Sequence, residues 1–263
     1  MLRLAKDLNG FTLEALDGQI GTVKEFYFDD KSWTIRYLIA NTGDWMTGRS
    51  VLISPYALGE IFTMEKLIRV ELTKAQIEHS PLIENDRPVS RQYELAYYPY
   101  YGFPSYWGGS SLWGNAAYPQ MIELPMSMSG GQIAGIRQED NDDPHLRSTK
   151  DMGGHAIHAL DGEVGHVEDF VIDDENWAIR YLIVGTRNWW PGKKVLMLIA
   201  TRSVDRISWE DSSVHLRLKR ETIQKSPEYS ECLLITRDYE AKLHRHYDLE
   251  EYWQEELENT VTR

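Results

Sequence analysis

The stretch "LDGQIGTVKEFYFDDKSWTIRYLIANTGDWMTGRSVLI", residues 16–53, decides the fold because the chain contains it twice. The second copy, "LDGEVGHVEDFVIDDENWAIRYLIVGTRNWWPGKKVLM", occupies residues 160–197. The two segments lie 144 positions apart and are identical at 19 of 38 positions. Self-similarity of this strength at a fixed spacing predicts an architecture built from two similar units.

The similarity continues downstream, 146 positions apart. "LTKAQIEHSP" (72–81) matches "LKRETIQKSP" (218–227), and "SRQYELAYYPYYGFPSYW" (90–107) matches "TRDYEAKLHRHYDLEEYW" (236–253). A disordered tether has no reason to share its pattern with the end of the other copy, so we expect residues 90–107 to be a folded tail. Each tail packs on its own copy or crosses to the other, and an exchange between chains would give a swapped homodimer.

The repeat divides the chain into three parts. We predict a first unit at residues 1–107, a linker at 108–150 and a second unit at 151–263. The linker opens with "GGSSLWGNAAYP" and ends with "RQEDNDDPHLRSTKD". Glycine and serine followed by a charged polar run are typical of a flexible, acidic linker.

The secondary structure within one unit is predicted to be mainly β. "LDGQIG" and "LDGEVG" place Asp-Gly between extended segments, which favours hairpins. β-branched and aromatic residues dominate the flanking segments. Short strands with frequent turn signals predict two small β-barrels in tandem, related by a pseudo-twofold axis, with short helical segments and a C-terminal helix. Pro99 and Pro104 are expected to shorten the helix of the first tail.

Composition excludes several classes of protein. The formal net charge is −13 and the pI about 5.1, so the surface repels phosphate backbones and we expect no nucleic-acid partner. A single cysteine, Cys232, suits a reducing compartment. The N-terminal residues lack a sustained apolar run, and no apolar run reaches the ~18 residues that a membrane span needs. We therefore expect a cytoplasmic protein.

Two acidic pairs, Asp29-Asp30 and Asp173-Asp174, resemble paired catalytic carboxylates. Acid–base catalysis needs two carboxyl groups that face one substrate. Adjacent residues of a strand point to opposite faces, and both pairs precede a hairpin turn. Turn chemistry is therefore the preferred interpretation.

Five histidines are candidates for a metal site: His155, His158, His166, His244 and His246. Metal binding needs three or four converging ligands, and the first copy has no histidine at the matching positions. The chain also lacks a G-x-S-x-G motif and a phosphate-binding glycine loop. We predict no metal, no cofactor and no enzymatic activity.

Tryptophans in loops are the candidates for binding a partner protein. Trp45 lies in "TGDWMTGRS", and Trp189 and Trp190 lie in "TRNWWPGKK", each between two predicted strands. Tryptophan is a favoured anchor at protein interfaces. The alternative is that each loop folds back and caps its own barrel.

Two mid-strand arginines, Arg36 and Arg180, complete the candidate partner-binding set. Both occur in the sequence "IRYLI". An ion pair across the hairpin, with Asp30 or Asp174, is one interpretation, and contact with a bound anion is the other.

The pattern LDGxxGxVxxFxxDDxxWxIRYLIxxTxxWxxGxxVL, followed by "SP" and RxYE…YW, resembles the PRC-barrel family in its tandem form. That fold is named after the cytoplasmic domain of the photosynthetic reaction-centre H subunit. The resemblance implies two PRC-type barrels and a non-enzymatic adaptor or assembly module that binds protein partners. The alternative it implies is an accessory subunit at the membrane surface, beside a reaction-centre-like electron-transfer complex.

Overall fold

The computed structural model describes residues 1–43, 45–46, 51–81, 89–120, 146–186, 195–230 and 234–254. These residues form two seven-stranded sheets and several short helices, so the prediction of a mainly β fold is confirmed. Each sheet is built chiefly from one copy of the repeat. None of the helices in the described parts of the chain has the length and apolarity to cross a membrane.

The elements follow the same order in both copies. The first copy contributes β1 (Leu2–Leu4), α1 (Ala5–Leu8), β2 (Thr12–Ala15), β3 (Gly18–Asp29), β4 (Thr34–Asn41), β5 (Val51–Ile53), a 3-10 turn (Pro55–Ala57), β6 (Leu58–Phe62), β7 (Leu67–Val70), α2 (Lys74–Glu78) and α3 (Arg91–Tyr101). The second contributes β8 (Leu146–Ser148), α4 (Thr149–Met152), β9 (Ala156–Ala159), β10 (Gly162–Asp173), β11 (Ile179–Thr186), β12 (Val195–Ala200), a 3-10 turn (Thr201–Ser203), β13 (Val204–Ser208), β14 (Ser213–Leu216), α5 (Arg220–Gln224) and α6 (Arg237–His246).

The sheets are open paths, which corrects the prediction of closed barrels. The first sheet has the order β5-β4-β3-β2-β7-β6 and the second the order β12-β11-β10-β9-β14-β13. The end strands of each path are consecutive in sequence and are joined by a 3-10 turn. Within the described residues, the two end strands of each sheet are therefore connected only through the chain at this turn. In a closed barrel, hydrogen bonds between these strands would join them.

The seventh strand of each sheet comes from the other copy. Strand β1 pairs with β10, with Leu2 opposite Asp173, and β8 pairs with β3, with Leu146 opposite Asp29. The two registers are equivalent under the 144-residue offset of the repeat. The copies therefore exchange their first strands within one chain.

Both ends of the predicted linker belong to the fold, which differs from the expectation for residues 108–150. Leu146–Ser148 form β8, and Trp113, near the other end, is 1% exposed. Three-residue strands and single buried aromatics leave no periodic pattern, so composition alone predicted a linker there.

A second set of reciprocal contacts joins β4 to β11. The N–H of Ile35 donates to the Trp177 carbonyl at 2.8 Å, and the N–H of Ile179 donates to the Trp33 carbonyl at 2.7 Å. Trp33 and Trp177 have φ angles of 53° and 59°, the left-handed conformation that tryptophan seldom adopts. Because these two hydrogen bonds join equivalent residues of the two copies in both directions, the two sheets are related by an approximate twofold axis.

The second glycine of each LDGxxG motif permits close approach of neighbouring strands. A Cβ atom at Gly21 would lie 2.1 Å from the Asn41 carbonyl oxygen, and one at Gly165 would lie 2.1 Å from the Gly185 carbonyl oxygen. No side chain fits at these distances, so the motif reflects strand packing.

The aromatic tails pack on their own copies. The Tyr97 hydroxyl of α3 donates to the Leu52 carbonyl at 3.0 Å, and the Tyr247 hydroxyl, just after α6, donates to the Leu198 carbonyl at 2.9 Å. Of the two arrangements left open by the sequence, the tails therefore adopt the one within each copy.

Pro99 does not shorten the first tail helix. Helix α3 has 11 residues and α6 has 10, and Pro99 lies inside the last turn of α3. The helix ends at Gly102, whose φ of 71° suits glycine at a helix C-terminus. Burial of Tyr97 and Tyr98 against the sheet holds this last turn in place.

Candidate functional site

The mid-strand arginines pair with carboxylates across the hairpin that contains them. Arg36 Nη2 lies 3.4 Å from Asp29 Oδ2, and Arg180 Nη2 lies 2.9 Å from Asp173 Oδ2. In each copy the partner is one position earlier than predicted. The strand pairing in each hairpin is irregular just before the aspartates, and the first aspartate of each pair faces its own arginine.

The second aspartates, Asp30 and Asp174, bind the exchanged strands. Arg147 Nε of β8 lies 3.2 Å from Asp30 Oδ2, and Arg3 Nε of β1 donates to Asp174 Oδ2. In each acidic pair, the first aspartate forms an ion pair within its own hairpin and the second forms one with the exchanged strand. All four carboxylates therefore have an arginine partner. This geometry supports the turn interpretation over paired catalytic carboxylates.

Arg36 is buried within its own copy. It is 2% exposed, donates to the Leu112 carbonyl at 2.5 Å and lies 3.8 Å from the centre of the Tyr106 ring. Arg180 stacks in the same way, 3.8 Å from the Tyr252 ring centre. Both arginines connect their sheet to their own tail.

A buried glutamate fastens each tail to its sheet. Glu94, fully buried, accepts hydrogen bonds from the Tyr37 hydroxyl at 3.1 Å, the Tyr106 hydroxyl at 2.8 Å and Arg91 Nη1 at 2.7 Å. The recurring RxYE…YW pattern was the sequence signal for this arrangement, which we term the tail clasp.

The second copy contains the same tail clasp. Glu240 accepts from the Tyr181 hydroxyl at 2.8 Å and the Tyr252 hydroxyl at 2.6 Å, and Arg237 Nη1 lies 3.0 Å away. Burial raises the pKa of Glu240, and the hydrogen bonds from the two tyrosines offset part of that rise. Because these carboxylate oxygens are engaged by neighbouring side chains, we assign the tail clasps a structural function.

The predicted histidine candidates do not converge. No group of three or more His, Cys, Asp or Glu side chains in the described residues is arranged to hold a metal ion. His244 is enclosed between the Tyr181 hydroxyl, 3.0 Å away, and the Glu250 carbonyl, 2.8 Å away. Its burial lowers the pKa of the imidazole.

Of the three candidate tryptophans, only Trp45 lies in the described residues; Trp189 and Trp190 lie outside them. Trp45 is partly buried against the core of the first copy. Lys74 Nζ, at the start of α2, lies 5.6 Å from the centre of the Trp45 ring. Trp45 thus combines contact with its own sheet with partial exposure.

Each copy also exposes a leucine that sequence analysis did not select. Leu16 is 64% exposed and Leu160 is 67% exposed, and the two occupy the same position of the repeat. They lie at the turns that join β2 to β3 and β9 to β10, here called the hairpin tips (residues 15–18 and 159–162). Their appearance at the start of both LDG motifs was the available signal.

The hairpin tips are held in place by the neighbouring short helices. Asp17 Oδ1 accepts from the N–H of Lys74 at 2.8 Å, and Asp161 Oδ1 accepts from the N–H of Arg220 at 2.8 Å. Each aspartate therefore satisfies a free N–H group at the start of a helix. The two exposed leucines are presented on fixed turns with a basic residue alongside.

Comparison with protein-family models gives no match, and no curated protein shows significant similarity to the chain.

Proposed function

We propose that this chain is a non-enzymatic adaptor or assembly module that binds protein partners through its two hairpin tips. The observation that carries the proposal is the exposure of Leu16 and Leu160 at equivalent positions of the two copies. A single exposed leucine on a protein surface is ordinary. The same leucine on the same fixed turn in two copies gives one chain two equivalent contact points.

Two equivalent points favour a partner that offers two matching sites. Full burial of one leucine contributes about 1.5–3 kcal/mol, which is weak on its own. Linking two such contacts in one molecule raises the effective concentration for the second contact, so the combined affinity exceeds that of either site. The partner is therefore a dimeric protein or one with a repeated segment.

Charge defines the partner further. The formal net charge of −13 attracts a basic protein surface and speeds its association at low salt. Long-range attraction of this kind weakens as ionic strength rises. We therefore expect binding that depends on salt as well as on the two leucines.

The family assignment and location form part of the same proposal. The repeated LDG, DD, IRYLI and RxYE…YW patterns support membership of the tandem PRC-barrel family, whose members are binding and assembly modules. The single cysteine is in keeping with the cytoplasm. Under this assignment, the exchange of β1 and β8 serves to fix the spacing between the two tips.

The test is affinity purification of the tagged protein from native lysate, in mild detergent and low salt, with mass spectrometry of the co-purifying proteins. We expect a stoichiometric partner that is lost from the double variant Leu16→Ser/Leu160→Ser. Each single variant should retain part of the binding, because one tip remains. Replacement of Trp45 by alanine tests whether the first tip extends to that ring.

Met64→Ser provides the matched control. Met64 is 91% exposed but has no apolar counterpart in the second copy, where Glu210 occupies the matching position. Recovery of the same partner by the double leucine variant would refute the proposal. Recovery of a membrane electron-transfer complex would instead identify an accessory subunit of that complex.

A further inference from the structure

A cavity of about 340 Å³ lies at the junction of the two sheets. The first copy lines it with the turn between β3 and β4 (residues 31–33) and with Leu112. The second copy contributes the start of β11, the corner between β12 and β13, and the tail residues His244 and Tyr252. This volume is at the lower end of the range for small-molecule sites.

An indole ring fills the corresponding place in the first copy. Trp113 is 1% exposed, and its ring centre lies 5.1 Å from that of Tyr56 in an edge-to-face contact. The Arg36 guanidinium lies 4.9 Å from the Trp113 ring centre. The indole N–H donates to the Asn176 carbonyl at 2.8 Å.

The contacts of Trp113 and the walls of the cavity are equivalent under the repeat. The pairs are Arg36 with Arg180, Tyr56 with Arg202, Tyr106 with Tyr252 and Asn176 with Ser32. The cavity therefore has a shape related to the site of a planar, indole-sized group. Tyr252 supplies an aromatic wall, as Tyr106 does beside Trp113.

The cavity differs from the Trp113 site in charge. Tyr56 is replaced by Arg202, and Glu71 of the first copy is replaced by Arg217. Among the described residues, the lining has four basic side chains, of which Arg180 is paired with Asp173, and no acidic one, in a chain whose formal net charge is −13. A positive lining in an acidic protein favours a negatively charged ligand.

Arg217 is held by neutral groups. Its Nη2 donates to the carbonyls of Arg202 and Val204, both at 3.0 Å, and no carboxylate of the described residues lies within 4.0 Å of it. His244 belongs to the same lining. Burial is the main cause of its lowered pKa; the hydrogen bond to the Glu250 carbonyl and the charge of Glu251 oppose this shift, and the charges of Arg202 and Arg180 add to it.

We propose that this cavity binds a small, planar organic anion of the aromatic carboxylate class. The ring would take the position that corresponds to the Trp113 indole, against Tyr252. The carboxylate would face Arg202 and Arg217, whose guanidinium groups suit planar oxyanions. This site contains no residue of the hairpin tips, so the ligand proposal can be tested independently of the adaptor proposal.

The test is isothermal titration of the full chain with indole-3-carboxylate and, in parallel, with the neutral indole-3-carboxamide. We expect saturable binding of the carboxylate and much weaker binding of the amide. Arg217→Glu and Arg202→Tyr each introduce the residue of the first copy. Each should weaken binding about tenfold, the effect of losing one charge-assisted hydrogen bond.

Arg206→Gln is the matched control, because Arg206 is an exposed arginine of β13 outside the lining. It should bind the carboxylate as the unmodified chain does. Absence of saturable binding, equal binding of the amide, or unchanged affinity in both Arg217→Glu and Arg202→Tyr would each overturn the proposal. Two variants are used so that a folding defect in one leaves the other informative.

Discussion

Trp113 and the cavity occupy corresponding positions in the two copies, and they show how a repeat diverges. The first copy fills its side of the junction with an indole, whereas the second lines the same position with Arg202 and Arg217. The tail clasps around both positions are the same. Within the described residues, side-chain differences at corresponding positions therefore distinguish a packed core from a basic cavity lining, while the order of the strands is the same in both sheets.

The exchanged strands show a second difference between the copies. Glu25 of β3 accepts a hydrogen bond from the Ser148 hydroxyl of the exchanged strand β8. The equivalent Asp169 of β10 is 5% exposed, and its Oδ2 has no hydrogen-bond partner in the described residues. The buried carboxylate of Glu25 therefore has a hydrogen-bond donor on the exchanged strand, whereas one oxygen of the Asp169 carboxylate has none in the described residues.

Removal of Trp113 should give the largest effect. We expect Trp113→Ala to lower the free energy of unfolding by about 4 kcal/mol, because it deletes a fully buried aromatic side chain and leaves a cavity. The Asn176 carbonyl also loses its donor. Urea denaturation measures the change. A loss below about 1 kcal/mol, the range of a surface substitution, would show that the junction does not need this ring.

Asp169→Asn should have an effect of intermediate size, and it should raise the free energy of unfolding at pH 7. Burial raises the pKa of Asp169 from 3.8 to about 6, and hydrogen bonds from the N–H groups of Phe170 and Lys6 offset part of that rise. The folded state therefore binds a proton more tightly than the unfolded state. The resulting stabilisation is complete below pH 4 and is lost as the pH rises through about 6.

At pH 7 the asparagine variant should thus exceed the original in unfolding free energy by about 2 kcal/mol, and the difference should disappear near pH 4. Thermal unfolding across this pH range is the measurement. Glu25→Gln serves as the comparison and should destabilise at pH 7, because the Ser148 hydroxyl loses a charged acceptor. A pH-independent effect of Asp169→Asn would contradict the assignment.

The ion pairs of the exchanged strands should give the smallest effects. Arg3→Ala removes the pair with Asp174, and Arg147→Ala removes the pair with Asp30; both pairs are partly exposed. We expect each single variant to lower the free energy of unfolding by about 1 kcal/mol. If the two junctions are independent, the double variant should cost the sum. Chemical denaturation gives all three values, and a clear departure from additivity would show that the junctions are coupled.

Much of the architecture could be predicted from the repeat. The LDG hairpins, the long strands after them and the folded tail at residues 90–107 follow from strong local patterns and from their recurrence. The arginine ion pairs were predicted with the wrong aspartate, because the strand face of Asp29 depends on irregularities in the pairing of β3 with β4.

The exchange of strands could not be predicted in the same way. Leu2–Leu4 and Leu146–Ser148 are too short for a periodic signal, and their partners lie far away in sequence. Trp113 lies in a segment of glycine, serine and asparagine, a composition typical of linkers. The cavity depends on which side chains meet across the junction, and that information is present only in three dimensions.

The pairing of β1 with β10 has a consequence during protein synthesis. Arg3 and its partner Asp174 are 171 residues apart, so at ribosomal rates β1 waits on the order of ten seconds for the strand it joins. Strand β3 likewise waits for β8 to emerge. The first copy therefore remains incomplete on the ribosome until the second is made, and strand β1 is among the last elements to reach its final position.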